Sequence, residues 1–407
     1  TMYLSFAWRY FKAKKTANAI NIIAWVTTAV IAFATCCQVL VLSVFNGFED
    51  LVKSLYSSFY TDLKITPAKG KTFILSSAQI QQIKQQPYVH AISMIAEDKA
   101  LLKNGDAQTV VRLKGVDENF NAVSGVPSKL ISGDFKTGTI DSPSIIVGSG
   151  IQNAAGININ PAFATDNLTI ILPKKGIAST DPFSSLSEGN VTTTGVFAIQ
   201  QDFDNNYAIT NINFIKQQMG FATDEFSAAE IKLVPGSDIE VSKTGLQKIV
   251  SGNYIVQSRY QQNTNLYSTM RLEKWAIYAV LTLILIIAAF NMVSALTMLV
   301  LEKKKDISIL QSMGSNRLVI QKIFLSEGLL LGIIGATGGI LLAIIICLVQ
   351  IKFRLIKLEG GSFLINYFPV KLVSTDFLLV AGTAVAIAFI ASWLPAYKAA
   401  RQPIELR

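Results

Sequence analysis

The stretch Phe290–Gly314, FNMVSALTMLVLEKKKDISILQSMG, decides how this chain is read. An apolar helix of membrane-spanning length ends within it. Lys303, Lys304 and Lys305 follow, flanked by Glu302 and Asp306. A short amphipathic helix comes next and stops at Gly314. Another long apolar stretch begins a few residues later. A charged helix held between two membrane helices is placed to take a push from a soluble partner and pass it into the bilayer.

The composition agrees. Hydrophobic residues make up 51% of the 407 and charged residues only 15%, low for a soluble chain. The net charge of +9 is uneven. Between Gly47 and Glu273 there are 19 Lys and Arg against 21 Asp and Glu, leaving 17 against 6 for the rest. The basic excess therefore flanks the apolar stretches, where anionic lipid and the positive-inside rule account for it. Nucleic acid binding does not follow from the high isoelectric point.

Four stretches are long enough to span hydrocarbon: Ala19–Val44, Trp275–Leu301, Ile323–Ile351 and Phe377–Leu394. The first is expected to be retained, being longer than a signal-peptide core and lacking a small-x-small cleavage site. Arg9, Lys12, Lys14 and Lys15 precede it. Arg317 and Lys322 join the three lysines after the second span, and Lys398, Arg401 and Arg407 lie in the tail. These basic segments predict cytoplasmic termini. The expected organisation is a cytoplasmic segment (1–18), span one (19–46), an external domain (47–273), span two (274–301), a cytoplasmic coupling helix (302–316), span three (317–351), an external loop (352–376), span four (377–394) and a cytoplasmic tail (395–407). The fold class is thus an α-helical membrane protein with a large external α+β domain inserted between helices one and two.

Within that domain, Asp62–Thr66, Thr109–Gly115 and Asn167–Leu172 alternate as strands do. Ala78–Gln86 reads as a helix capped by Ser76 or Ser77, and Asn211–Met219 as another. Gly133–Gly150 is turn-rich, and Gly176–Gly189 reads as a loop. The polar run Gln257–Arg271 can continue the second span as a stalk.

The search for catalytic chemistry is mostly negative. No GxxxxGK[ST] motif is present, so the chain has no P-loop of its own. His90 is the only histidine, which excludes multi-histidine metal sites and reads as a surface residue. Cys36, Cys37 and Cys347 all fall in the apolar stretches and read as packing residues. Asp202 and Asp204 read as a solvated turn. Gln38, Asn291, Ser326 and Glu327 stand out as polar residues inside the spans; Glu327 faces a partner or snorkels to the interface. Gly332, Gly335, Gly338 and Gly339 form a small-residue face suited to close helix packing.

Four segments carry a family resemblance. VLSVFNGFED (Val41–Asp50), RLEKWAIYAVLTLILIIAAFNMVSALTMLVLEKKKDISILQSMGSN (Arg271–Asn316), LSEGLLLGIIGATGGILLA (Leu325–Ala343) and PAYKAARQPIELR (Pro395–Arg407) resemble, in order and spacing, the FtsX/MacB-type permease superfamily. Within it the chain is most similar to the LolC/LolE lipoprotein-releasing permeases. The resemblance implies a permease of an ABC transporter in a Gram-negative inner membrane, without nucleotide-binding motifs or cofactors of its own. ATP and Mg belong to a separate LolD-like ATPase. It implies ATPase coupling through Glu302, Lys303, Lys304, Lys305, Asp306, Ile309, Leu310, Met313 and Gly314. It implies a groove for the acyl chains of a triacylated lipoprotein, lined by Val39, Leu42, Val44, Phe45 and Asn46 of helix one and by Ala288, Asn291, Met292 and Ala295 of helix two. A second permease copy or paralogue would complete the transporter. A LolA-like periplasmic carrier would be gripped by the 176–189 loop, with Asp181, Pro182 and Phe183 at its tip. The alternatives are an FtsX-like regulator of a cell-wall hydrolase and a MacB-like efflux permease.

Overall fold

The computed structural model describes residues 18–158, 168–175, 185–250, 252, 254–357 and 367–402. In chain order the helices are α1 (Asn18–Phe59), α2 (Ser77–Lys84), α3 (Ile212–Met219), α4 (Ile239–Val250), α5 (Thr264–Glu302), α6 (Lys304–Ser312), α7 (Arg317–Phe353) and α8 (Ser374–Ala400), besides several single turns. The strands are β1 (Leu63–Pro67), β2 (Phe73–Ile74), β3 (Val89–Asn104), β4 (Ala107–Val116), β5 (Leu130–Gly133), β6 (Ser144–Gly148), β7 (Leu168–Pro173), β8 (Leu186–Phe197), β9 (Tyr207–Asn211), β10 (Glu225–Phe226), β11 (Ala228–Leu233) and β12 (Tyr254–Ser258). The chain divides at Leu51/Val52 and Tyr267/Ser268 into a helical unit and a mixed α/β unit.

The helical unit contains the four helices long and apolar enough to cross a membrane. At 1.5 Å per residue, α1 with 42 residues and α5 with 39 are each about 60 Å long, twice the hydrocarbon thickness. Both therefore run far beyond any bilayer core. The glycine face of α7 decides the packing. A Cβ on Gly332 would lie 2.3 Å from Ala388 Cβ of α8, and one on Gly339 would lie 2.3 Å from the Ala32 carbonyl of α1. Small residues on both sides let the helices approach this closely, the usual way apolar helices bind one another in lipid. Gly338 departs from the expected face, since a Cβ there would meet nothing within 4 Å. Cys36 lies in an apolar cluster with Val39, Leu42, Ala343 and Val380, and Cys347 is buried on α7; both are free thiols.

The α/β unit is built on a ten-stranded sheet ordered β12-β1-β11-β3-β4-β9-β6-β8-β5, with β7 pairing β3 and β8. Most pairs are antiparallel; β4–β9 and β6–β8 are parallel. One face buries Leu63, Ile92, Leu113 and Ile231 against α2, α3 and α4, which contribute Ile83, Phe214, Ile215, Met219, Leu246 and Val250. The helix ends follow from local chemistry. Ser76 and Gln79 form a capping box at the start of α2, and Gly220 in a left-handed conformation ends α3.

The opposite face carries charge. Lys114 donates to both oxygens of Glu230 at 2.8 and 3.0 Å, and both side chains are almost fully buried. Lys114 Nζ lies 4.8 Å from the Phe59 ring centroid and 5.0 Å from that of Phe120. Phe59, at the last turn of α1, stacks on Phe203 at 4.4 Å. A desolvated ammonium is tolerable there only because the carboxylate and the ring faces replace its water.

Several expectations change. Helix one does not end near Asn46 but continues to Phe59, because Val52, Leu55, Tyr56 and Phe59 recur at helical spacing and bury their faces. Of the proposed stalk, Gln257 and Ser258 belong to β12, and the second long helix starts at Thr264. Gly133–Gly150 contains the fully buried strand β6. Of the expected solvated pair, Asp202 is exposed but Asp204 is buried. Tyr56 donates to Asp202 at 2.7 Å, and Asp204, buried at the end of a helical turn, accepts from the Ile199 amide at 2.9 Å. Glu327 is buried rather than snorkelling. His90 lies exposed on β3.

Candidate functional site

Helix α6 is separated from α5 by the single residue Lys303, whose ammonium pairs with Asp306 at 3.2 Å. Ile307 points inward and packs with Val300, Ile320, Phe324, Ala396 and Ala399, so α6 is seated on α5, α7 and α8. The opposite face presents Lys305, Ile309, Ser312 and Met313, spaced at 4, 3 and 1 residues along one side of the helix. Ile309 is 57% exposed and Met313 78%. Two large apolar side chains are thus open to the outside beside the charged side chains of this helix. Leu310 is half-buried and Glu302 exposed.

The C-terminus of α6 is fixed by backbone hydrogen bonds. Gly314 stands at φ +89°, its N–H donates to the Gln311 carbonyl at 3.0 Å, and the Ser315 N–H donates to the Leu310 carbonyl at 3.0 Å. This 6→1 and 5→2 pair is a Schellman motif, which a left-handed glycine makes at least cost. Only four residues, Met313 to Asn316, separate α6 from Arg317, the first residue of α7. Displacement of the exposed ridge therefore reaches α5 and α7 through short, hydrogen-bonded connections.

The residues expected to line an open groove are found elsewhere. Val39, Leu42, Asn46, Ala288, Met292 and Ala295 are all buried within the helical unit, and Val44 and Phe45 are half-buried. The reason is the seam between α1 and α5. Ile31 and Ala34 pack in one cluster with Leu285, Ala288 and Met292, and Gln38 donates to the Thr282 hydroxyl at 3.1 Å. Asn291 is exposed on the outer side of α5.

Asn46 has partners that the sequence did not reveal. Its amide donates to Asp376 Oδ2 at 2.6 Å, and Lys274 donates to Asn46 Oδ1 at 2.9 Å and to Asp376 Oδ2 at 3.0 Å. Three helices, α1, α5 and α8, meet in this one cluster. Nearby, Lys371 pairs with Asp50, and Gly47 lies so close to the 367–373 backbone that a Cβ would fall 2.3 Å from the Pro369 carbonyl oxygen.

The expected carrier-docking loop divides into two parts. Leu186–Gly189 is the first part of β8, paired with β7 in the register Pro173↔Leu186 to Ile170↔Gly189. The sequence carries no strand signal here, since Leu186 is exposed and the buried residue is Ser187. Asp181, Pro182 and Phe183 lie outside the described residues. Among the described residues no cluster of three or more potential metal ligands occurs.

Residues 278–404 match the family described as FtsX-like permease C-terminal. Over 98% of its length the chain is 25% identical to the lipoprotein-releasing system transmembrane protein LolC of Xylella fastidiosa (strain Temecula1), of which it covers 96%. It is also 25% identical, over 98% of its length and 97% of the relative, to the lipoprotein-releasing system transmembrane protein LolE of Haemophilus influenzae. Among solved structures, the periplasmic region of MacB from Actinobacillus actinomycetemcomitans matches 54% of this chain and 98% of its own at 13% identity, with a TM-score of 0.37. So loose a likeness carries no argument.

Proposed function

Because the chain carries an FtsX-like permease domain and is similar along nearly its whole length to lipoprotein-releasing transmembrane proteins, we propose that it is the permease of a lipoprotein-releasing ABC transporter in a bacterial inner membrane. The observation that carries this reading is the full-length match to LolC and LolE rather than to the permease domain alone. Both termini and α6 face the cytoplasm, and the α/β unit, inserted between the first two spans, faces the periplasm. A separate ATPase seats on the α6 ridge of Lys305, Ile309 and Met313, and nucleotide-driven movement there is passed to α5 and α7. A second permease, identical or paralogous, completes the complex. The lipid path opens only when the α1–α5 seam changes, since Leu42, Ala288 and Met292 are covered in the conformation described. The carrier docks on the segment that joins β7 to β8 in sequence, which includes Asp181, Pro182 and Phe183.

The test is a photo-crosslinker at Leu42 or at Val293, in cells expressing the ATPase and carrier. Capture of lipoprotein during turnover supports the reading. Capture from α8 positions only would overturn the path through α1 and α5.

A further inference from the structure

The cluster of Asn46, Lys274 and Asp376 lies where the apolar part of α5 begins, at Trp275, and in the first turn of α8. That is the depth of lipid headgroups. Trp275 and Tyr278 meet edge to face at 5.7 Å beside it, an aromatic pair of the kind that marks a membrane boundary. A cavity of about 170 Å³ opens against the cluster, lined by Leu42, Lys274, Trp275, Tyr278, Asp376 and Leu379. It therefore presents one cation, one anion and an apolar floor, and it is too small for an acyl chain.

The hydrogen-bond inventory leaves room for a ligand. An ammonium has three donors, and Lys274 uses two, on Asn46 and Asp376. Asp376 accepts both its side-chain bonds on Oδ2, so Oδ1 is without a partner among the described residues. Both side chains keep an outlet, being 29% and 16% exposed. A ligand that brings an anion to the third Lys274 donor and an N–H cation to Asp376 Oδ1 would complete the network without breaking a bond. The headgroup of an aminophospholipid has this chemistry, with phosphate and primary ammonium joined by a two-carbon link. An anionic glycerol headgroup supplies the phosphate but leaves the second Asp376 oxygen facing like charge.

We propose that the Asn46–Lys274–Asp376 cluster and its cavity bind the headgroup of a zwitterionic aminophospholipid, phosphate on Lys274 and ammonium on Asp376. The site draws on three helices, so occupancy ties α1, α5 and α8 together at their outer ends. It rests on the membrane placement of the four helices and not on what is transported. A failed release assay would leave it standing.

The experiment is thermal unfolding of the purified full chain in detergent with short-chain, dispersible lipids. Diheptanoyl phosphatidylethanolamine should raise the midpoint saturably by about 2 °C or more, as a ligand bound only by the folded state does. Diheptanoyl phosphatidylglycerol should give less than half that shift, and free phosphoethanolamine little. Lys274→Met and Asp376→Asn should abolish the phosphatidylethanolamine shift. Should either variant fail to fold, Leu379→Trp, which fills the cavity from an exposed position and leaves the cluster intact, should abolish it too. No shift, equal shifts from the two lipids, a full shift from phosphoethanolamine alone, or a Leu379→Trp variant that responds like the parent would overturn the assignment.

Discussion

Gly314 gives the sharpest test of force transfer through α6. Its φ of +89° is a conformation that a side chain disfavours, and a Cβ there would meet nothing within 4 Å. The cost of Gly314→Ala is therefore a backbone cost alone, about 1–2 kcal/mol. That is a factor of roughly 5–30 in the population of the capped end. Once the cap opens, the bonds from Gly314 to Gln311 and from Ser315 to Leu310 are lost together, and α6 is no longer rigidly tied to α7. Gly314→Val should be worse, since β-branched residues are rarer still at positive φ. Gly314→Asn should be nearly silent, because asparagine tolerates this region. The assay is lipoprotein released per ATP hydrolysed in proteoliposomes holding the chain and its ATPase. Release per ATP should fall several-fold for alanine, further for valine and little for asparagine, with hydrolysis continuing. Wild-type coupling in the valine variant would refute the reasoning, and an asparagine variant as poor as valine would show that bulk, not backbone, matters.

Ile309→Asp or Met313→Glu should weaken ATPase binding at least tenfold, the loss expected of about 1.4 kcal/mol at an exposed apolar anchor, and leave the permease folded; co-purification measures it. Lys114→Met should destabilise the α/β unit by up to about 3–5 kcal/mol, because Glu230 then keeps only the longer ion pair with Lys64 at 3.8 Å, whereas Lys114→Met with Glu230→Leu should regain most of it. Hydrogen exchange of β3, β4 and β11 amides reads both, and a double variant no better than the single would refute the pairing. Burial alone would raise the pKa of Glu225, but bonds from Lys175, Thr72 and the Ala222 amide, with the Lys175 charge, hold it below the ordinary glutamate value. Its carboxylate therefore stabilises the unit at pH above the ordinary value, and that contribution disappears as pH falls through the lower folded value. Glu225→Gln should flatten the acid end of the stability curve, and unfolding midpoints between about pH 3 and 6, a span of about three units that brackets the ordinary value, test this.

The spans were legible because hydrophobic length is a one-dimensional property: four runs near 20 apolar residues leave few other structures open. The break at Lys303 and the stop at Gly314 were legible too, as local backbone chemistry. The extension of α1 was missed at Glu49 and Asp50, where polarity changes but the helical period continues through Val52, Leu55 and Phe59. Strand β6 was hidden because SIIVG is buried on both faces and so does not alternate. The Asn46–Lys274–Asp376 cluster had no local signal at all. Its members are 228 and 102 residues apart, and only helix packing brings them together. Of the expected groove residues, Val39, Leu42, Asn46, Ala288, Met292 and Ala295 are buried while Asn291 is exposed on α5, because which helix faces meet is set by long-range packing and not by local sequence.

The measurement that bears most directly on the permease assignment is ATP-driven release of a triacylated lipoprotein from proteoliposomes containing this chain and its partner ATPase, with soluble carrier outside. Lipoprotein should appear on the carrier only when ATP, carrier and this chain are all present, and the chain alone should turn over no ATP. Unchanged release when the chain is omitted, or no release from a complex that instead activates a cell-wall hydrolase, would contradict it.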